Sequence, residues 1–132
     1  MQIALREADV RALLDADSAA VLETHARSGD WRTAGAAFAA ALSPAAAHAR
    51  VPPLWDRLLA QFTEFLCSDS ARYADLRAEW DALCRRSAAL AVTALTTALA
   101  AELGVASTIA APLVIWLVLS AVRMGTNVFC RR

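Results

Sequence analysis

Lysine is absent from this 132-residue chain, so all thirteen of its basic side chains other than histidine are arginine. Thirteen aspartates and glutamates balance them, and no net field draws the chain toward nucleic acid. Only four glycines, four prolines and one tyrosine are present. No strand-length run of alternating Val, Ile or Thr is bounded by turn residues, which excludes an ordinary β architecture. Three cysteines are too few, and an odd number, for a disulfide scaffold. Phosphate-binding glycine loops, HExxH and GxSxG are all missing. The two histidines, His25 and His48, belong to no recognisable catalytic arrangement. The sequence therefore carries no enzyme signal, no metal or other cofactor, and no inferred small-molecule substrate.

What is present is apolar and helical. Hydrophobic residues make up 58% of the chain and the mean hydropathy is +0.42, too apolar for disorder. Alanine fills 33 positions, and with arginine and leucine it gives high helix propensity nearly everywhere. The surplus of alanine and arginine without lysine is also the codon mark of a GC-rich bacterial genome. The fold class read from this is all-α.

A first short helix is predicted from residue 5 to 15. The next, with Asp17 or Ser18 as its cap, stops at Gly29. Asp30 caps a third helix, whose stripe of Trp31, Gly35, Phe38 and Leu42 runs to Pro44. An Ala-rich stretch then ends at Pro52-Pro53, a stiff boundary near 51–53. Beyond it, Leu54, Trp55, Leu58, Leu59, Phe62, Phe65 and Leu66 recur at helical spacing. Tyr73, Leu76, Trp80 and Leu83 form the apolar face of a further helix, with Arg77 and Asp81 paired four apart on another.

After Arg86 the pattern changes. Thirty-six residues separate it from Arg123, and only Glu102 among them is charged. Residues 103–122 carry no charge and reach a mean hydropathy of about +2, in the range of membrane spans. Gly104 divides the stretch into two halves of about 26 Å each, short but credible as a two-span hairpin. Leu103, Gly104, Pro112 and Trp116 are its landmarks. A helix starting near Ile109 would hold Pro112 as an internal kink; otherwise Pro112 opens a helix running to Cys130.

The flanks set an orientation. Arg85 and Arg86 precede the hairpin, and Arg123, Arg131 and Arg132 follow it. The positive-inside rule then puts both termini in the cytoplasm and the Glu102 corner across the membrane. Residues 1–86 hold ten arginines against twelve acids, and residues 87–132 hold three against one. Thr93, Thr96 and Thr97, with Glu102, form a polar stripe on the first apolar helix, and Ser107 and Thr108 join them as candidates. The expected roles of Cys67, Cys84 and Cys130 are small buried side chains in a reducing cytosol, with a redox-sensing Cys84 beside its arginines as the alternative. The tryptophans are expected as core anchors, with Trp116 packed inside a bundle or hairpin.

The leading expectation is a non-enzymatic bacterial inner-membrane protein: a helical interaction module over 1–86 and an apolar hairpin over 87–132. Its expected partners are the lipid bilayer and a protein, or a second copy of itself, and its action is as an anchored module or a membrane-perturbing effector. The alternative is a soluble, cytoplasmic all-α adaptor or oligomerisation domain whose hairpin is its core.

Overall fold

A computed structural model describes residues 1–42 and 53–131. The helix end at Pro44, most of the boundary near 51–53, His48 and Arg132 lie outside them. Among the described residues there are eight α-helices and no strand: α1 (Glu7–Arg11), α2 (Ala16–Ser28), α3 (Trp31–Leu42), α4 (Leu54–Cys67), α5 (Ala74–Arg86), α6 (Ala88–Leu103), α7 (Ser107–Met124) and α8 (Thr126–Cys130). A 3-10 turn, Ala71–Tyr73, leads into α5. The all-α expectation is met.

Local chemistry explains most of the boundaries. Asp30 accepts the Thr33 N–H at 2.8 Å and starts α3 as its sequence implies; the same bond holds the Asp30 carboxyl below its ordinary pKa. The cap of α2 is Asp15, which accepts the Ser18 N–H at 3.2 Å. Neither Asp17 nor Ser18, the expected caps, holds that position. Ser87 starts α6 by accepting from the Leu90 N–H at 2.9 Å. Gly104 ends it in the left-handed region at φ 68°, with the Val105 N–H reaching back to the Ala100 carbonyl at 3.1 Å.

The apolar faces converge on one helix. In α7, the nine consecutive residues 113–121 are all buried. Helices α1, α3, α4, α6 and α8 pack around it. Two polar groups in this stretch are satisfied from within: the Trp116 indole N–H donates to the Trp31 carbonyl at 2.9 Å, and the Ser120 hydroxyl donates to the Trp116 carbonyl at 2.8 Å. Pro112 lies inside α7, five residues after its start at Ser107. The version in which Pro112 opens a helix continuing to Cys130 does not occur, because Gly125, at φ 86°, separates α7 from α8. Of the two apolar halves, only α7 is long enough to cross a membrane; α6 is shorter.

An aromatic layer joins the earlier helices to this core. Trp31 stacks at a tilt on Phe129 of α8 with ring centroids 5.0 Å apart, and Phe62 of α4 meets the same ring edge-on at 5.4 Å. Phe65 meets Trp80 of α5 edge-on at 5.2 Å. Residues of both 1–86 and 87–131 thus belong to one continuous apolar cluster.

Two pairings differ from those expected. Arg77 turns to the end of α4 rather than to Asp81: it donates to the Phe65 carbonyl at 2.8 Å and the Glu64 carbonyl at 3.3 Å, and so caps carbonyls that the helix itself leaves open, and it donates to the Ser70 carbonyl beyond the helix at 2.8 Å. Cys67 and Cys130 form a disulfide, with Cα atoms 5.6 Å apart, that ties the end of α4 to the end of α8. Neither cysteine is the isolated buried thiol expected of it; Cys84 is the free one. Closing a loop of this size restricts the unfolded chain by an amount worth about 4 kcal/mol in the chain-entropy picture.

Gly35 sets the approach of α3 to α4. A Cβ at this position would overlap the six-membered ring of Trp55. Gly35→Ala in a helix interior ordinarily stabilises by about 1 kcal/mol. Here it is expected to destabilise by about 1–3 kcal/mol, as overpacking does, when urea unfolding is followed by tryptophan fluorescence. A raised midpoint would contradict this close contact.

Candidate functional site

One concavity lies along the α6–α7 hairpin, a groove of about 330 Å³. Serine and threonine line one part of it. From α6 come Thr93, Thr96 and Thr97, and from the first turn of α7 come Ser107 and Thr108. The helical repeat brings the first three to one side of α6, and the short 104–106 connection brings the start of α7 beside them. Thr93, Thr96 and Thr97 thus lie beside Ser107 and Thr108, and Glu102, expected on the same stripe, is not in this lining. Apolar cover comes from Val92 and Ala89 of α6, Ala111 and Ile115 of α7, and Leu13 after α1.

The hydroxyls are not equivalent. Thr97 donates to the Thr93 carbonyl one turn earlier at 2.9 Å, the back-bond common to helical threonines. Thr96 is only 5% exposed, and its hydroxyl has no hydrogen-bond partner among the described residues. A buried hydroxyl left in that state costs about 1–3 kcal/mol. At the rim, Ala106 occupies the N-cap of α7 and supplies no side-chain acceptor to the first-turn amides. Pro112 has no N–H, so the Thr108 carbonyl four residues earlier lacks the usual helical donor. The groove thus combines an apolar wall with serine and threonine, and among the described residues no charged side chain lines it.

The remaining predicted residues lie elsewhere. Glu102 is on the α4 side of the hairpin corner, where it pairs with Arg72 at 3.3 Å. The Leu103 carbonyl beside it accepts from Arg57 at 3.1 Å. Arg123 pairs with Glu7 and Glu23, both at 2.7 Å, and its guanidinium lies 5.8 Å from the centre of the Trp116 ring. Burial alone would lower the Arg123 pKa; the hydrogen bonds to Glu23 and Glu7 outweigh it and raise the value. Arg85, Arg86 and Arg131 are exposed. The basic residues grouped by sequence for orientation therefore have separate surroundings.

Burial also raises the pKa of two further groups outside the groove. Tyr73, whose hydroxyl donates to the Gln61 side-chain carbonyl, is pushed up to about 12 by burial and then by Glu102 and Glu64. Burial pushes the Cys84 thiol up to about 11, and Asp81 adds to it. The alternative of a thiol activated by neighbouring arginines is corrected by this, because desolvation of the thiolate dominates. Among the described residues, no three or more His, Cys, Asp or Glu side chains gather as a metal site would need.

Ile115 and Ala111 were legible as apolar, but nothing local separates a groove wall from a core position. Leu13 lies far from α6 and α7 in sequence, and only the tertiary fold places it there. No family model, curated protein or solved structure matches this chain.

The Cys84 assignment has a direct chemical check. With its pKa raised, the thiol stays protonated at about pH 8, where an unperturbed cysteine is already partly thiolate. Its alkylation by iodoacetamide in the folded protein is expected to be slower by roughly a hundredfold or more than in denaturant. Equal rates would contradict the buried, neutral thiol.

Proposed function

We propose that this chain is a non-enzymatic, soluble all-helical binding or adaptor module, with the α6–α7 hairpin as part of its core. The single observation that carries the reading is the burial of residues 113–121 on every side of α7. An apolar helix with protein around its whole circumference meets the requirement that lipid would otherwise meet.

The polar contacts at both ends of the hairpin support the same reading. A two-span arrangement sends the corner across a bilayer, away from residues 1–86. Here Arg57 and Arg72, both from that segment, hold Leu103 and Glu102 at the corner. At the other end Arg123 holds Glu7 and Glu23. Insertion would break the corner contacts and uncover the apolar faces of α3 and α4. A binding role rather than a catalytic one fits the groove, whose lining among the described residues contains no carboxylate, histidine, cysteine or arginine.

The membrane-perturbing alternative keeps one observation in its favour: α7 has eighteen residues with mean hydropathy 1.7. Alkaline extraction and flotation with liposomes separate the two readings. The full-length protein is expected in the soluble fraction and at the bottom of the gradient. Retention in the extracted membrane pellet, or co-flotation with neutral and anionic vesicles, would overturn the soluble reading and favour the anchor.

A further inference from the structure

We infer that the Cys67–Cys130 disulfide is a redox-operated latch: a dithiol reductant opens it, and α8 then leaves the aromatic surface of α3 and α4.

The hold on α8 is narrow. It has five residues, too few to stay helical in water unaided, and fixing their backbone costs conformational entropy. Of residues 126–129, Thr126 and Phe129 are buried, whereas Asn127 and Val128 are exposed. The Phe129 ring docks between Trp31 of α3 and Phe62 of α4, at centroid distances of 5.0 and 5.4 Å. The disulfide keeps that ring beside its site by closing the chain between α4 and α8.

The two ends of the bond are held very differently. On the α4 side, Arg77 donates to the Glu64 and Phe65 carbonyls and to both the carbonyl and the hydroxyl of Ser70. The Ser68 hydroxyl donates to the Glu64 carbonyl at 2.6 Å, and Phe65 and Leu66 are buried in the core. This end stays in place when the bond is cut. On the other side, α8 joins α7 through Gly125, at φ 86° with open space where a Cβ would stand. Glycine has many other conformations within reach, so α8 is the part that moves.

Cys67 is exposed and Cys130 half-buried, which places the bond at the protein surface, unlike the buried Cys84 thiol. One thiolate of the reductant attacks one sulfur of the pair, and the other cysteine leaves as a thiolate that takes a proton. The second thiol of the reductant then attacks the mixed disulfide and releases the remaining cysteine. Two electrons pass from the dithiol, which departs as its own disulfide, and Cys67 and Cys130 are left as thiols. With the tether cut, burial of Phe129 and Thr126 no longer offsets the ordering of α8. The redox state of the surroundings then decides whether Trp31 and Phe62 are covered.

The test is nitrogen-15 relaxation of the full-length protein, oxidised and after treatment with dithiothreitol. Oxidised, residues 126–131 are expected to have order parameters of a rigid backbone, about 0.85; reduced, they should fall below about 0.6. Residues 113–121 should stay rigid in both forms, and reoxidation should restore the first set of values. Cys130→Ser should show the open values without reductant and not respond to it, which excludes an effect of dithiothreitol at Cys84. The proposal is overturned if 126–131 remain rigid in the fully reduced protein. It is overturned too if α4 and α7 loosen with α8, in the reduced protein or in Cys130→Ser, since the bond is then a staple of the whole fold. Reduction no faster than global unfolding in the same buffer would equally contradict a latch that opens in the folded state.

Discussion

A helix that is apolar around its whole circumference cannot stand alone in water, and the rest of this structure is arranged around that constraint. The Leu, Val and Ile side chains among residues 113–121 of α7 would each lose about 1.5–3 kcal/mol if they faced solvent. Helices α1, α3, α4, α6 and α8 supply the cover. Their amphipathic faces have the complementary need, since Val10, Phe38, Leu58, Phe62, Leu95 and Phe129 must all leave water as well. Each set of side chains provides the other's apolar surroundings.

Burial is non-directional, so position within the bundle is fixed by a few polar and steric contacts. Trp116 reaches the backbone of α3 through its indole N–H, and Gly35 lets α3 lie close enough for Trp55 to pass. Arginines do much of the joining, each through geometry rather than through charge alone. Arg77 caps the end of α4, Arg57 takes the last carbonyl of α6, and Arg123 bridges Glu7 and Glu23. A planar guanidinium with several donors suits this work better than an ammonium would. The Cys67–Cys130 disulfide adds a covalent tie between α4 and α8. Such a bond belongs to oxidising surroundings and is reduced in most cytosols, so the oxidation state of this pair and the location of the chain are linked.

Much of the fold was legible because its signals are local. The spacing of Leu54, Leu58, Phe62 and Phe65 is the same information in sequence and in α4, and Asp30 caps α3 as its position implies. The start of α7 at Ser107 is two residues from the expected Ile109. What could not be read is what tertiary geometry decides. Arg77 has Asp81 on its own helix, but the open carbonyls of Phe65 and Glu64 at the end of α4 offer a better-matched partner. Cys67 and Cys130 are 63 residues apart in sequence, and no spacing rule selects that pair over either pairing with Cys84. The threonines of α6 announced a polar stripe, yet their hydrophobic neighbours could not be sorted into groove and core without α7 and Leu13 in place. Hydropathy alone is equally blind: it reports that α7 avoids water and is silent on whether lipid or protein takes water's place.

That last distinction is the centre of the account. If protein takes water's place, residues 1–86 lose the partner for their apolar faces when α6, α7 and α8 are removed. The decisive measurement is thermal unfolding of a fragment ending at Arg86, followed by far- and near-ultraviolet circular dichroism. The account predicts helical signal without a cooperative transition, and little fixed environment for Trp31, Trp55 and Trp80. A fragment that melts cooperatively with a native-like near-ultraviolet spectrum would contradict it, and would mean that α7 covers a module already complete without it.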